Sequence, residues 1–305
     1  MSCTTRKVNF KLTGAALTVF LICFVMATYS IYNSRHLPVS VDTLNMDQIP
    51  IRRDHSVTSD FRRNETLTSC RLKTMQTILD TARNTSHNKS ALEEAKKCWA
   101  ESLVFHLSYP LDFGYGSHVI TFLASTWITE GPILEMGSGW YNTPVAHRIS
   151  VIQGRNILTA DTNYKWLKYF LIFSSNNHRL YYVGDDKQET DDEVQVVSSW
   201  DDIGGQSERW GMIFVDHAPG ERRKVDIERL RNKTDLLIIH DSQPKAGRAY
   251  KSQKLLASFE HRTIVGPGWS GTYTDVVSDS RPDLIYIVKV LCQWSIEILK
   301  SLKKN

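Results

Sequence analysis

The stretch GPILEMGSG, Gly131–Gly139, decides the fold of this 305-residue chain. Its apolar run predicts a buried strand that ends in the acidic Glu135. Gly137 and Gly139 follow at a spacing of two, which suits a tight loop that lets the backbone approach a ligand. Glycine pairs also follow strands because of turn chemistry alone. The stretch by itself therefore predicts a strand and a loop, and it only suggests a nucleotide-like ligand.

Strand and helix signals alternate through the rest of the chain. Strands are predicted at 132–136, 156–160, 194–197, 211–215, 235–239, 262–265 and 284–290. Helices are predicted between several of them, at 143–152, 163–174, 222–232 and 248–258. Such alternation is typical of a parallel sheet with helices on both faces. We therefore expect an α/β fold built on a doubly wound, mostly parallel, seven-stranded sheet.

Ligands of doubly wound folds bind outside the carboxyl ends of the strands. Asp161 stands at such an end, 22 residues after Gly139. A carboxylate there can accept hydrogen bonds from both hydroxyls of a ribose. The competing interpretation is that Asp161 caps the helix that begins near Tyr164. Asp161 is thus a candidate ligand-binding residue.

Two pairs of aspartate and histidine end the fourth and fifth predicted strands: Asp216-His217 and His240-Asp241. Carboxylates on neighbouring strand ends can share a hard divalent cation such as Mg²⁺ or Mn²⁺. Each histidine titrates near neutral pH and can take a proton from a hydroxyl. The alternative is a structural role for both histidines. Asp216, His217 and His240 are therefore candidate catalytic residues, and Asp216 and Asp241 are candidate metal ligands.

Two further features have both a functional and a structural interpretation. Arg222 and Arg223 follow a Pro-Gly turn and either reach an acidic substrate, pair with nearby carboxylates or belong to a solvated helix start. Trp269 lies in a glycine-rich loop, where an aromatic ring can stack on a sugar.

Together these residues resemble the class I S-adenosylmethionine-dependent methyltransferases over about 130–290. ILEMGSG is similar to the first motif of that family, and Asp161 matches its ribose-binding acid. The resemblance implies a Rossmann-like methyltransferase fold, with Trp200 near the adenine. It implies that S-adenosylmethionine is bound by Glu135, Gly137, Ser138, Gly139, Asp161 and Trp200.

IFVDH and IIHDS are similar to the strand ends of the metal-dependent O-methyltransferases. That resemblance implies that Asp216 and Asp241 hold a divalent cation. Ser242 stands where this group usually has asparagine, so the chain departs from the pattern at that position. The layout of the whole chain also resembles the Golgi glucuronoxylan 4-O-methyltransferases.

The N-terminal region predicts a membrane anchor. Residues 12–32 contain no charged side chain and match the thickness of a bilayer core. Arg6, Lys7 and Lys11 precede them, which favours a cytosolic N-terminus and a lumenal remainder in the Golgi or endoplasmic reticulum. A cleaved signal peptide is the alternative. We expect a tail at 1–11, an anchor at 12–32, a stem at 33–65, a helical extension at 66–108 and a methyltransferase-like domain at 109–305.

The glycosylation sequons and the charge balance agree with that layout. Sequons begin at Asn64, Asn84, Asn88 and Asn232, and three of them cluster just beyond the predicted anchor. The 37 basic residues, less the three ahead of the anchor, leave 34 against 33 acidic residues. A balance so close to neutral argues against a nucleic-acid partner.

Three of the five cysteines would face an oxidising compartment: Cys70, Cys98 and Cys292. Cys70 and Cys98 flank two helix-like segments and can pair with each other, which leaves Cys292 single. A bond between chains, giving a disulfide-linked dimer, and three free thiols are the alternatives.

The leading hypothesis is methyl transfer to a hydroxyl of a glycan or another lumenal substrate. A Golgi glycosyltransferase is the second hypothesis, because of the anchor-and-stem layout. Its candidates for an acidic metal motif, Asp185-Asp186 and Asp191-Asp192, lie in a polar segment without a clear preceding apolar strand, which counts against it. A non-catalytic lumenal binding protein that kept the fold is the third.

Overall fold

The structure, a computed structural model, describes residues 57–83, 88–106, 116–185, 191–267 and 271–302. The strands are β1 (Ile133–Met136), β2 (Ile157–Asp161), β3 (His178–Val183), β4 (Val194–Val197), β5 (Trp210–Val215), β6 (Thr234–His240), β7 (His261–Val265) and β8 (Thr274–Ser278). The helices are α1 (Val57–Ala82), α2 (Lys89–His106), α3 (Ser117–Ile128), α4 (Asn142–Gln153), α5 (Tyr164–Leu167), α6 (Arg223–Leu230), α7 (Pro244–Ala249), α8 (Gln253–Ala257) and α9 (Pro282–Leu302). Short 3-10 turns cover Lys168–Phe173, Trp200–Asp202, Gly220–Arg222 and Arg231–Lys233.

All eight described strands form one sheet in the order β4-β3-β2-β1-β5-β6-β8-β7. The pairs from β4 to β6 are parallel, and β8 runs antiparallel to both β6 and β7. Strands β2, β3 and β4 follow one another on one side of β1, and the chain then crosses to β5 on the other side of β1. The order therefore reverses between β1 and β5, which is where doubly wound sheets bind their ligands.

Side chains alternate between two buried faces of the sheet. Ile133 of β1 packs into one cluster with Phe122 of α3 and Leu291 of α9, all fully buried. Leu134, the next residue, packs on the opposite face with Ile227 of α6. Covering both faces leaves the strand ends as the exposed edge of the sheet, and it confirms the predicted doubly wound, mostly parallel architecture.

The predicted strands differ from the observed ones at three places, namely 284–290, β3 and β8, so the sheet has eight strands rather than seven. The stretch at 284–290 is the start of helix α9, because Leu284, Val288 and Leu291 recur at helical spacing and are all buried. The last strand is β8, and β3 was not predicted, since its apolar residues follow a polar segment without a clear boundary. The predicted strand at 194–197 is the edge strand β4.

The predicted helical extension is continuous with the core of the domain. Trp99 of α2 is fully buried, and its Nε1 donates to the Leu291 carbonyl at 3.1 Å and to Ser295 Oγ at 2.9 Å. Its ring lies 4.9 Å from that of Trp127 on α3. The extension is thus held by the same core as the sheet.

The N-terminal predictions fall partly outside the described residues. Helix α1 begins at Val57, inside the predicted stem. The predicted anchor at 12–32 lies outside the described residues, as do Asn84 and Trp269. Among the helices that the structure describes, none is both long and apolar enough to cross a membrane.

The structure joins Cys70 of α1 to Cys98 of α2 in a disulfide. This confirms the pairing that the sequence left open. Cys292 lies free and buried on α9. Within the described part of the chain, no exposed thiol is left for a bond between chains.

Replacing Trp99 by alanine should lower the free energy of unfolding by about 3–5 kcal/mol, because a fully buried ring is lost from the shared core. Urea unfolding followed by circular dichroism measures this loss. The control is Leu72→Ala on α1, where the side chain is 54% exposed and the expected change is within about 0.5 kcal/mol. Equal losses in the two variants would contradict a core shared by the extension and the sheet.

Candidate functional site

The glycine loop after β1 packs directly against the loop after β5. Gly137 has a φ of +98°, and a Cβ there would lie 2.7 Å from the carbonyl carbon of Asp216. Any other residue would combine a strained backbone with a clash against main-chain atoms. Glycine at this position therefore brings the two loops together where the strand order reverses.

A buried carboxyl group fixes the shape of the glycine loop from below. Glu135 is fully buried and accepts hydrogen bonds from Thr159 Oγ1 at 2.6 Å and from Thr143 Oγ1 at 3.0 Å. The Thr143 hydroxyl in turn accepts from the Gly139 N–H at 2.9 Å. Burial raises the pKa of Glu135 to about 8, so the group is mainly protonated at neutral pH. Glu135 thus acts on the loop through Thr143.

Asp161 holds the same loop from the side. Its Oδ2 accepts from both the N–H and the hydroxyl of Ser138, at 2.8 and 2.7 Å. Its Oδ1 accepts from the Asn163 N–H at 2.8 Å. The cap of α5 is the Asn163 side chain, which accepts from the Trp166 N–H, so the capping role considered for Asp161 is wrong. A carboxylate has about four acceptor positions, so one remains for a ribose hydroxyl.

Open space lies beside Gly139. A Cβ at this residue would meet no atom within 4 Å, in contrast to Gly137. Gly137, Ser138 and Gly139, with Glu135 and Asp161, were predicted to form one cofactor site. The structure brings all five to the same strand ends.

Trp200 and His217 form a buried pair instead of lining that space. Their rings stack at 4.2 Å between centroids, and the side chains are 5% and 1% exposed. Nε2 of His217 lies 3.0 Å from Oδ2 of the fully buried Asp226. Burial lowers the pKa of His217. These contacts favour a packing role for His217 over the predicted base, and for Trp200 over the predicted adenine contact.

Asp216, His240 and Asp241 come together at the ends of β5 and β6. Each offers a ligand atom, and the three atoms lie within 4.8 Å of one another. The side chains of Asp216 and Asp241 are 28% and 26% exposed, so the group is reachable from solvent. Asp241 has a φ of +56°, a backbone conformation that non-glycine residues adopt mainly at constrained sites.

The environment changes the protonation of this group. Burial raises the pKa of Asp216 to about 7, although the Arg223 guanidinium opposes the shift. Burial and the nearby Arg223 lower the pKa of His240 to about 4. The His240 imidazole is therefore neutral at physiological pH and can accept a proton or bind a metal.

Arg223 is structural, and neither predicted arginine faces a substrate. Arg223 is buried and donates to the carbonyls of Asp216, His217 and His240 at 2.8–3.3 Å. Its Nη2 also lies 2.9 Å from Asp216 Oδ1. Arg222 pairs with Asp201 and Asp226. Arg223 therefore joins the β5 and β6 ends, so the solvated helix start expected for it is wrong. The predicted pairing with nearby carboxylates is confirmed for both arginines.

His118 is a candidate site residue that the sequence did not reveal. It lies in the first turn of α3, and its ring centroid is 4.3 Å from that of His240. Its pKa is lowered to about 3 by burial and by His240. The ring of Tyr141, which follows the glycine loop, lies 6.1 Å away. No motif marks His118, because only the fold brings α3 to this edge of the sheet.

Of the acidic pairs of the glycosyltransferase hypothesis, Asp191-Asp192 lies before β4, and Asp186 lies outside the described residues. Asp191 accepts from the Tyr164 hydroxyl at 2.6 Å and lies 3.7 Å from Lys168 Nζ. It therefore ties the segment before β4 to α5, at a distance from the β5 and β6 ends.

The donor set of Asp216, His240 and Asp241 suits a divalent cation. Two carboxylates and one neutral imidazole can converge on one ion, and because the pKa of Asp216 is raised to about 7, ion binding would release the proton of this carboxyl. Arg223 engages Oδ1 of Asp216, which leaves the other carboxylate oxygen for an ion. The residues at this edge therefore fit both a cofactor beside Gly139 and a cation beside Asp216.

Comparison with protein-family models gives no match, and comparison with curated proteins gives none. Among solved structures, the chain is similar to the O-methyltransferase TomG from Streptomyces achromogenes, involved in tomaymycin synthesis and crystallised with S-adenosylmethionine. Identity is 13% over 59% of this chain and 87% of that chain, with a TM-score of 0.39.

Two other solved structures are similar to a comparable degree. A putative O-methyltransferase from Klebsiella pneumoniae has 13% identity over 61% of this chain and 90% of its own, with a TM-score of 0.39. An O-methyltransferase from Bacillus cereus in complex with S-adenosylhomocysteine has 15% identity over 67% and 90%, with a TM-score of 0.39. At such scores these likenesses decide neither the family nor the activity of the chain.

The raised pKa of Glu135 predicts a loss of stability as the pH rises. The folded state keeps this proton up to about pH 8, whereas the pKa of a glutamate in the unfolded chain is 4.5. Between these values the unfolded state binds fewer protons, so the free energy of unfolding falls with increasing pH. Glu135→Gln should remove roughly 2 kcal/mol of the fall between pH 6 and pH 8.

Chemical denaturation of the wild type and the variant at both pH values measures this difference. Glu208→Gln, at an exposed carboxyl, is the control and should follow the wild type. The pKa of Asp216 is also raised, and its contribution to the pH dependence of stability is common to all three proteins. An unchanged slope in Glu135→Gln would show that the buried carboxyl is not protonated in the folded state.

Proposed function

We propose that the protein is an S-adenosylmethionine-dependent methyltransferase that acts on a hydroxyl of a glycan or another lumenal substrate. The observation that carries this proposal is the glycine loop at the point where the strand order reverses. Its conformation is fixed by Glu135 and Asp161, and it leaves open space beside Gly139. A preformed loop of this kind suits a nucleoside-containing cofactor.

Different residues around the loop would contact different parts of the cofactor. The backbone at Gly137 and Gly139 allows close approach, and Ser138 is held in place by Asp161. The remaining acceptor position of Asp161 suits a ribose hydroxyl. Since the loop is already ordered by hydrogen bonds, binding costs less conformational entropy than it would for a flexible loop.

For methyl transfer the protein must align the acceptor hydroxyl with the methyl group and remove the hydroxyl proton. When bound, S-adenosylmethionine supplies a methyl group activated by its sulfonium. The strand ends must hold the acceptor hydroxyl in line with that methyl group. His118 and His240 are neutral imidazoles at the same edge, and their lowered pKa values make each of them a weak base toward the hydroxyl proton. A bound divalent cation would lower the pKa of the hydroxyl instead.

The lumenal setting is supported by the sequence and by one covalent bond. The Cys70–Cys98 disulfide suits an oxidising compartment, in agreement with the predicted anchor. Asn88 and Asn232 are exposed and begin sequons. The hydroxyl-bearing glycan is proposed because this layout is common among Golgi enzymes that modify glycans.

Gly139→Ala tests the cofactor site with little effect on the fold. The added methyl group meets no protein atom but enters the space proposed for the cofactor. We expect S-adenosylmethionine to bind the full-length protein in detergent, and the variant to bind at least about tenfold more weakly. Isothermal titration calorimetry measures both affinities.

Gly205→Ala is the matched control, because a Cβ there also meets no atom within 4 Å. It should bind like the wild type, and both variants should keep the wild-type melting temperature. Absence of binding to the wild type at millimolar cofactor would refute the proposal. Equal binding by Gly139→Ala would place the cofactor elsewhere.

A further inference from the structure

The Asp216, His240 and Asp241 group differs from an all-oxygen cation site. Two of its donors are carboxylates, and the third is an imidazole nitrogen. Ser242, two residues after His240, has a short side chain and is 7% exposed. Among the histidine, cysteine and acidic side chains of the described residues, His240 is the one that joins the two carboxylates at this edge.

The His240 ring is held so that one nitrogen faces the carboxylates. Nδ1 lies 3.3 Å from Thr274 Oγ1, and that hydroxyl is itself 2.8 Å from Ser117 Oγ. Nε2 lies 3.5 Å from Asp241 Oδ1, which is too long for a good hydrogen bond. Histidines that bind metals are commonly oriented in this way, with the second nitrogen hydrogen-bonded to a neighbour.

The charge around the group also favours a cation. Asp216 and Asp241 stand together at one edge, and Arg223 pairs with Asp216. The Arg223 guanidinium is directed mainly to backbone carbonyls of the β5 and β6 ends. A divalent ion would relieve the repulsion between the two carboxylates and give Nε2 of His240 a partner.

We infer that Nε2 of His240 is the third protein ligand of a divalent cation, which Asp216 and Asp241 also bind. This nitrogen ligand makes the site select Mn²⁺, Co²⁺ or Zn²⁺ over Mg²⁺ and Ca²⁺. Imidazole is a good ligand for the first three ions, whereas the latter two prefer oxygen. The inference deepens the proposed function and rests on it for the use of the cation in methyl transfer. The binding itself can be measured without any substrate.

Metal titrations of the metal-free, full-length protein test the selectivity. We expect Zn²⁺ and Co²⁺ to bind at least about a hundredfold more tightly than Mg²⁺. Pulsed electron paramagnetic resonance of bound Mn²⁺ should show coupling to a ¹⁴N nucleus. His240→Asn should abolish that coupling and weaken Zn²⁺ by at least about tenfold, with little change for Mg²⁺, because the amide supplies an oxygen donor.

Two variants serve as controls for folding and for ligand identity. His261→Asn changes a histidine on β7 outside the group and should leave every metal affinity unchanged. Asp241→Asn should weaken both Zn²⁺ and Mg²⁺, and asparagine tolerates the φ of +56° at this position. Melting temperatures near that of the wild type would show that each variant is folded.

Three results would overturn the inference: no binding at millimolar metal, bound Mn²⁺ without ¹⁴N coupling, or equal Zn²⁺ affinity in His240→Asn and the wild type. Any of them, with S-adenosylmethionine still bound, would reject the nitrogen-ligated cation and leave the proposed function intact. A nitrogen-coupled metal in a protein that does not bind S-adenosylmethionine would reject the proposed function alone.

Discussion

The close approach of the backbone at Gly137 to Asp216 is the constraint on which the rest of the site depends. A Cβ at Gly137 would lie 2.7 Å from the Asp216 carbonyl carbon, so the two loops meet only through glycine. This contact brings the glycine loop to the end of β5, where Asp216 lies with His240 and Asp241. A small-molecule space and a group of ionisable side chains thus share one edge of the sheet because two strand-end loops pack main chain to main chain.

Buried polar groups keep that edge rigid. Glu135 is neutral at physiological pH because it is fully buried, and it holds the loop through the Thr143 hydroxyl. Arg223 stabilises the ends of β5 and β6, because its guanidinium donates hydrogen bonds to carbonyls of both. Since an unsatisfied buried polar group costs about 1–3 kcal/mol, each of these bonds resists distortion of the loops. The resulting site is preorganised, as methyl transfer by alignment would require.

The sequence predicted the features that rest on local pattern and missed those that rest on tertiary contacts. The glycine spacing and the acid at Asp161 identified the loop and its neighbour, since both belong to strand ends with clear apolar runs. His118 could not be found, because nothing in its surroundings shows that α3 reaches His240. His217 looked as available as His240, yet only burial against Trp200 distinguishes them. Helix α9 was predicted as a strand because its β-branched residues outweighed its helical spacing.

Hydrogen–deuterium exchange of the full-length protein with and without S-adenosylhomocysteine tests the central claim most directly. The account predicts slower exchange in peptides that contain 137–140 and 161–163, because the cofactor would cover the glycine loop and the end of β2. The structure has a cavity at the amino ends of the strands, lined in part by Asn156, Arg179 and Gln206. Protection confined to peptides around that cavity, or no protection at saturating ligand, would contradict a cofactor site at the glycine loop.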